Sequence, residues 1–411
     1  MNISKVFKSL GPGLLYAGAA VGVSHLVQST RAGAGYGFDL LWVLIIANVL
    51  KYPFFEFAPR YASSTGKSLV DGYHKIGKWA LVLFGLLTIS TMFAITGAVS
   101  LVTAGLLGSL LGVNTDIYLL TVIVLVVVML VLMMGQFALF ETVIKFIIIA
   151  LALSTIVAVA LAFKPELSGT QHFDWRSVTD IAFLIAFIGW MPAPLDVSVW
   201  HSTWTEEKQK NQKKKLLLKE SLRDFNIGYI GTAVLAVGFL ALGAFVMYGS
   251  DESFSSSGLK FSSQLIKMYT QSLGSWAYWI IGFAALMTML STTITVLDAY
   301  PRVLLSTAEK FFRNRDKSLI NNKLSYNFWI IITVVGTLVL LLLFGKNMRF
   351  MVDLATTISF VTAPIIALLN YKAVTSAVFK DKPAKWLIIY AWIGMLSLFL
   401  FSIFYLIWKF L

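Results

Sequence analysis

A histidine and several hydroxyl or amide side chains follow a glycine inside the first long apolar stretch of the chain. Gly22 precedes Ser24 and His25, and Gln28 and Ser29 come about one helical turn later. Residues three and four apart share one face of a helix, so these side chains can present donors and acceptors together. The stretch holds no carboxylate, and a dehydrated divalent cation normally needs one. The pattern therefore favours a small oxyanion.

A helix that restarts near residue 24 would point its unpaired N–H groups and the positive end of its dipole toward the glycine break. We expect Gly22, Ser24, His25 and Gln28 to contact the substrate there. Arg31 lies about 9 Å beyond His25 at helical rise, and we expect it to steer anions in an outer vestibule. The structural alternatives are a histidine bonded to a neighbouring carbonyl, helix packing by Ser24 and an interfacial arginine.

A second apolar stretch is interrupted by prolines. Pro192 and Pro194 have no N–H group, so the carbonyls of Ile188 and Trp190 lose their usual helical partners. Such carbonyls are tolerated within a membrane only where they meet a cavity, water or a ligand. Met191 and Ala193, which lie within the same break, are further predicted substrate contacts.

An acid follows the prolines directly. Asp196 would cost about 2.5 to 3.5 kcal/mol at the centre of a membrane, so a partner or a function is expected for it. It is a predicted substrate contact, and together with Ser198 and the freed carbonyls it could bind Na⁺. Pairing with His25 or Arg31, or uptake of a proton, are the alternatives. Thr356 is a further candidate at this site.

Composition shows which elements must position these residues. The 411 residues are 58% apolar and 13% charged, with a mean hydropathy of +0.80, whereas soluble domains carry about 25% charged residues. Apolar runs near 20 residues recur and can each cross a bilayer. The chain is therefore predicted to be an all-α polytopic membrane protein. It has no cysteine, which excludes thiolate chemistry and disulfides.

Eleven spans are predicted from the apolar windows. If the N-terminus is cytoplasmic, 23 of the 33 Lys and Arg residues lie in inside segments, 7 in outside segments and 3 within spans. This asymmetry predicts a cell-membrane protein with its N-terminus in the cytoplasm and its C-terminus outside. The spans are predicted at 11–33, 38–59, 79–111, 117–135, 140–163, 178–200, 225–248, 275–299, 325–345, 350–371 and 386–408.

The two interrupted stretches are spans 1 and 6. An odd number of spans allows two inverted five-helix repeats, 11–163 and 178–371, with an extra helix at 386–408. The breaks then fall in the first helix of each repeat, as in secondary transporters that work by alternating access. We expect a single transport domain and a monomer. The N-terminal segment lacks the cleavage site of a signal peptide, so span 1 should be retained.

Four segments carry a family resemblance, namely GPGLLYAGAAVGVSHLVQSTRAGAGYGFDLLW from Gly11 to Trp42, ASSTGKSL after span 2, FETVIKF at 140–146 and the His-Ser pair at 201–202. In these segments the sequence resembles the NRAMP family of divalent-metal transporters. The resemblance implies the LeuT-type fold, with a substrate site between the unwound parts of spans 1 and 6.

Departures from the family pattern fall on its functional residues. The family's DPGN motif aligns with residues 22–25, so its metal-binding aspartate and asparagine are missing. Its metal-binding methionine aligns with Met191 or with Pro194, depending on a three-residue gap. The family also moves protons with carboxylates on span 3, yet residues 79–115 contain no Asp or Glu. The resemblance thus supports the fold and weakens the family's usual activity.

The remaining charges have simpler interpretations. Glu141 and Lys145 form an i,i+4 pair predicted to belong to an inner gate. Lys51 with Glu56, and Asp298 with Arg302, are read as structural charges at or near span ends. The basic loop 206–219 should rest on anionic lipid headgroups, and a nucleic-acid partner is not expected.

Other protein classes lack support. The chain shows no nucleotide-binding or nucleophile motif, so we expect neither an enzyme nor a cofactor, with Na⁺ as the candidate coupling ion. His74 and His172 do not have the spacing of a transition-metal site. The sequence predicts a symporter of a small oxyanion, with bicarbonate as the preferred substrate. Its alternatives are a transporter of partly hydrated Mg²⁺ or Mn²⁺, proton-coupled or uncoupled, and a non-transporting receptor or scaffold.

Overall fold

The computed structural model describes residues 11–410, apart from 114, 136, 164–166, 168, 213–215, 251, 313–321 and 346. Every regular element within these residues is a helix. Seven helices in this described part of the chain are long and apolar enough to cross a membrane, and the chain is a multi-pass membrane protein. Helices are present at all eleven predicted span positions.

Nine of these spans are single helices. They shield their backbone polar groups by internal hydrogen bonding, which a bilayer requires. Their bounds are Leu41–Thr65, Lys78–Leu111, Ile117–Met133, Phe137–Ala162, Leu218–Val246, Tyr278–Phe311, Asn322–Phe344, Met348–Thr375 and Lys385–Phe410.

Spans 1 and 6 are each divided in two, as predicted. Span 1 has a first half at Pro12–Ala20 and a second half that begins as a π-helical turn, Ser24–Ser29, and continues as Thr30–Tyr36. Span 6 has a first half at Val178–Gly189 and a second half at Asp196–Gln212.

The spans differ in how much apolar surface they present outward. Span 8 is mostly buried inside the bundle, whereas about two thirds of the apolar windows of spans 9 and 11 are not buried. Leu343, Ile389 and Leu396 are among their exposed side chains. An apolar surface of this kind suits contact with lipid.

Two helices outside the spans were not predicted from the sequence. Leu69–Ile76 lies between spans 2 and 3, and Gly258–Leu273 lies between spans 7 and 8. Each buries only one face, so neither contains the continuous apolar run that identifies a span. The second helix starts against span 3, where a side chain at Gly105 would place its Cβ 2.5 Å from the Gly258 carbonyl oxygen.

Candidate functional site

The break in span 1 packs directly against span 8. Val21 and Gly22 are non-helical and separate the two halves. A Cβ atom at Gly22 would lie 2.7 Å from Thr292 Oγ1, so the close approach of the two spans requires glycine at this position. The same Thr292 hydroxyl lies 3.3 Å from the Gly18 carbonyl oxygen and can donate to it.

His25 is buried, and both of its ring nitrogens are bonded to the protein. Nδ1 lies 2.7 Å from Ser24 Oγ, and Nε2 lies 2.9 Å from the carbonyl oxygen of Thr232 in span 7. Because a carbonyl only accepts, Nε2 carries a hydrogen in this arrangement. Ser24 Oγ also lies 2.6 Å from the Ala20 carbonyl oxygen. His25 thus connects span 1 to span 7, and Ser24 is bonded to its ring within span 1.

Arg31 is bound to an acid that the sequence analysis did not select. Its Nη1 lies 2.8 Å from Asp353 Oδ1, and its Nη2 lies 3.4 Å from Asp353 Oδ2, in span 10. Gln28 Oε1 accepts from the same Nη1 at 2.9 Å. The guanidinium also lies 4.9 Å from the ring centre of Phe183 in the first half of span 6. Arg31 and Gln28 therefore join three spans, and the arginine charge is balanced by Asp353.

The first half of span 6 ends against a buried lysine. Lys51 Nζ donates to the carbonyl oxygens of Ile188 and Gly189 at 2.6 and 3.0 Å. The Ile188 carbonyl, a predicted Na⁺ ligand, thus already has a cationic partner. Trp190, the second residue predicted to offer a carbonyl, uses its indole Nε1 to donate to Ser359 Oγ at 2.8 Å.

The hydroxyls predicted to bind Na⁺ donate within their own helices. Thr356 Oγ1 donates to the Val352 carbonyl at 2.8 Å. Ser198 Oγ donates to the Leu195 carbonyl at 2.7 Å and accepts from Asn370 Nδ2 at 2.8 Å. These bonds stabilise the helices and connect span 6 to span 10.

Met191 and Ala193 are both fully buried at the break of span 6. The sulfur of Met191 lies 3.9 Å from Ser29 Oγ in the second half of span 1. The break of span 6 therefore lies next to the second half of span 1.

Asp196 is the first residue of the second half of span 6 and is buried, with 3% of its surface exposed. Its Oδ1 atom has no hydrogen-bond partner among the described residues. The side chains of Thr91 in span 3, Tyr73 and Tyr300 lie near the carboxyl. The predicted pairing with His25 or Arg31 is not observed, since both have other partners. Span 3 itself lacks the carboxylates of the family pattern, but the Asp196 carboxyl of span 6 lies next to it.

Two cavities lie on opposite sides of the breaks. One, at the predicted outer end, has a volume of about 400 Å³ and is lined in part by Arg31, Tyr248 and Arg349. The other, at the predicted inner end, has a volume of about 500 Å³ and is lined in part by Glu207 and Arg302. Neither cavity is lined by His25 or Asp196. The structure therefore corresponds to a state in which neither cavity reaches the breaks.

Charged pairs lie at the predicted inner end. Arg302 Nε lies 2.7 Å from Asp298 Oδ2, and Arg302 also pairs with Glu207 of span 6. The predicted gate residues Glu141 and Lys145 lie outside the residues whose side chains the structure describes.

Several functional contacts were missed because their partners lie far away in sequence. Lys51 was assigned to a span end and paired with Glu56, but it is buried, and Glu56 instead accepts from Arg60. Polar residues near Lys51 in the sequence are typical of the membrane interface, which explains why Lys51 was assigned to a span end. Asp353 could have been selected from the sequence, because it lies three residues before Thr356, which was selected.

A conventional metal site is not evident in the described part of the chain. No group of three or more His, Asp or Glu residues there is placed to hold a metal ion.

Comparison with solved structures identifies the fold. A manganese transporter of Eremococcus coleocola superposes with a TM-score of 0.73 at 16% identity, covering 97% of this chain and 86% of that one. MhsT, solved in complex with L-phenylalanine, gives a TM-score of 0.61 at 16% identity and covers 95% of this chain and 98% of its own. Mhp1, a nucleobase-cation-symport-1 family transporter, gives 0.57 at 15% identity, with coverages of 96% and 92%. The expected LeuT-type fold is confirmed.

Comparison of sequences identifies the family. An uncharacterized protein of Pasteurella multocida (strain Pm70) is 37% identical over 375 residues, which is 90% of this chain and 85% of that protein. Residues 13–409 match the family model described as natural resistance-associated macrophage protein-like. The chain belongs to the NRAMP family, as the motifs of spans 1 to 6 indicated.

Proposed function

We propose that the chain is a secondary transporter of a divalent metal cation, Mg²⁺ or Mn²⁺, and that Asp196 is the carboxylate that the cation meets inside the membrane. The observation that carries this proposal is the buried Oδ1 atom of Asp196, which has no hydrogen-bond partner in the described part of the chain. An intramembrane acid is costly unless it is paired or functional.

The polar side chains near the break of span 1 already have partners, which favours a cation over an anion as the cargo. The imidazole of His25 and the hydroxyl of Ser24 already bond to the protein, and leaving those bonds for an oxyanion would cost free energy. Arg31 is paired with Asp353. The structural neighbour from Eremococcus coleocola is a manganese transporter, which is consistent with a cation as cargo.

The donor set favours an ion that keeps part of its water shell. One carboxylate and a few hydroxyls cannot replace all the oxygen ligands of a dehydrated divalent cation, and Mg²⁺ in proteins usually retains several waters. Thr91 supplies a hydroxyl near the carboxyl. The cation would thus be held by Asp196 directly or through water.

Alternating access requires the two ends to open in turn. At the predicted outer end, opening separates Arg31 from Asp353 and joins the cavity there to the breaks. At the predicted inner end, opening separates Arg302 from Glu207. In the closed arrangement the carboxyl of Asp196 is sealed from both cavities.

A second candidate function is transport of a small oxyanion, with bicarbonate first. It is favoured by the lack of any carboxylate in the described part of span 1 and by the helical restart at Ser24 beside the break. The N–H groups of that turn could face an anion once the spans separate.

Flux measurements distinguish the two candidates. Purified protein in liposomes is tested for uptake of Mn²⁺, Mg²⁺ and labelled bicarbonate, with and without Na⁺ or proton gradients. We expect metal uptake that is lost in Asp196→Asn and retained in Asp174→Asn, a matched substitution of an exposed loop acid. Bicarbonate uptake that disappears in His25→Ala and persists in Asp196→Asn would support the second candidate instead. Absence of both fluxes would contradict both and favour a receptor or scaffold.

A further inference from the structure

Lys51, whose side chain ordinarily carries a full positive charge, lies deep within span 2. It lies about 15 Å from the start of the helix at Leu41, at helical rise, and only 1% of its surface is exposed. A lysine near a span end can extend its ammonium to the interface. Lys51 instead directs its Nζ inward to span 6, so its position needs an explanation other than interfacial anchoring.

The contacts of the ammonium are two backbone carbonyls at the break. Ile188 O, at 2.6 Å from Nζ, lacks its usual i+4 donor because Pro192 has no N–H group, and it accepts from Met191 N–H at 3.2 Å instead. Gly189 O, at 3.0 Å from Nζ, belongs to the last residue of the same helix. The C-terminal end of a helix carries partial negative charge, which favours a cation. The site therefore has the ligand type and polarity of a binding site for a small monovalent cation.

Among the described residues, no carboxylate pairs with the Lys51 ammonium. Lys51 makes no ion pair with any acid in the described part of the chain, and Glu56, the acid one turn away, is bound at 2.5 Å by Arg60. Charged side chains within a membrane pair with one another or with backbone carbonyls, and Lys51 uses carbonyls. The ammonium is held here by carbonyl dipoles, as a coupling ion would be.

We propose that Lys51 is a tethered cation that occupies the carbonyl site at the break of span 6 in place of a coupling Na⁺, so that this protein binds no Na⁺ there and transports its substrate without it. The ammonium also ties span 2 to the end of the first half of span 6. This inference concerns the coupling site and goes beyond the identity of the cargo.

A cation-replacement experiment tests the proposal without knowledge of the cargo. Thermal unfolding of the purified protein is followed in NaCl and in N-methyl-D-glucamine chloride of equal concentration. We compare the wild type with Lys51→Ala, which empties the site, with Lys51→Met, which fills the stem volume without charge, and with Lys260→Ala as an exposed control. Methylammonium chloride is added to each, because this ion can replace the missing ammonium.

The wild type and Lys260→Ala should unfold at the same temperature in both salts. Lys51→Ala should unfold several degrees lower and regain stability specifically with methylammonium or Na⁺, whereas Lys51→Met should be destabilised without such recovery. The proposal would be overturned if Lys51→Ala regained no stability with methylammonium or Na⁺, or if Lys51→Met were as stable as the wild type. If neither variant folds, the wild type alone tests the proposal. Stabilisation of the wild type specifically by Na⁺ would contradict the proposal. Equal stability in both salts, together with substrate flux in Na⁺-free buffer, would support it.

Discussion

Arg31 Nη1 in span 1 lies 2.8 Å from Asp353 Oδ1 in span 10, between the predicted outer cavity and the break of span 1. The two residues are 322 positions apart in the chain. Their ion pair, extended by Gln28, is what joins the second half of span 1 to span 10 at this level. It must break for the outer cavity to reach the breaks.

Removing the acid should therefore favour opening at this end. A half-exposed pair of this kind contributes about 1 kcal/mol, so Asp353→Asn should raise the open population about fivefold. Ser29 is buried behind the pair, and the natural chain has no cysteine. A Ser29→Cys substitution can thus be labelled with a membrane-impermeant thiol reagent. We expect faster labelling when Asp353→Asn is added, and an unchanged rate would contradict the assignment.

Gly22 should not accept a side chain while Thr292 faces it. Gly22→Ala would place Cβ 2.7 Å from Thr292 Oγ1, and overpacking of this kind costs about 1 to 3 kcal/mol. The unfolding temperature should fall. Thr292→Ala removes the two atoms in closest contact, so the double variant should recover part of the loss. Equal stability of Gly22→Ala and the wild type would show that the two spans do not approach so closely.

His25 is expected to act as a connection between spans 1 and 7. His25→Ala removes the hydrogen bond to the Thr232 carbonyl oxygen within the span 7 helix, and a typical intramolecular hydrogen bond contributes about 0.5 to 1.5 kcal/mol. We expect lower thermal stability and an unchanged KM for metal uptake. His25→Gln, which retains a donor, should recover part of the stability. A large rise in KM with unchanged stability would instead place His25 in the substrate site.

The predicted inner end should be sensitive to acid through Glu206. Burial raises the pKa of its carboxyl, but the bonds and charge of Lys210 and the N–H of Ser68 outweigh burial and hold the pKa below its ordinary value of 4.5. A lowered folded-state pKa contributes stability at neutral pH, and this contribution is lost as the pH falls below about 4.5 through the folded value. Glu206→Gln should therefore flatten the stability profile in that range. Calorimetry at several pH values measures this, and a slope identical to that of the wild type would refute it.

The sequence predicted the positions of the helix breaks better than the partners of the residues beside them. Gly22, Pro192 and Pro194 interrupt helices through their own backbone chemistry, which a local window reveals. The eleven spans were equally accessible, because hydropathy is a local property. The helices Leu69–Ile76 and Gly258–Leu273 were not predicted, because half of each faces away from the core and neither forms a continuous apolar run.

The partners could not be predicted because the fold brings them from distant spans. Thr232, Asp353 and Lys51 come from spans 7, 10 and 2, and each occupies a group that the sequence suggested was free for a ligand. Local spacing identifies what a side chain can bind, whereas tertiary contacts decide whether it is still available. Asp196 was identified from its cost in a membrane, and the structure shows that its Oδ1 has no hydrogen-bond partner in the described part of the chain.

The most direct test of the cation assignment is equilibrium binding of Mn²⁺ to the purified protein. Free aqueous Mn²⁺ gives a strong electron paramagnetic resonance signal that falls when the ion is bound. We predict that the wild type reduces this signal, that Mg²⁺ restores it by competition, and that Asp196→Asn leaves it unchanged while Asp174→Asn behaves as the wild type. Undiminished free Mn²⁺ in the presence of folded wild-type protein, or equal binding by Asp196→Asn, would contradict the account.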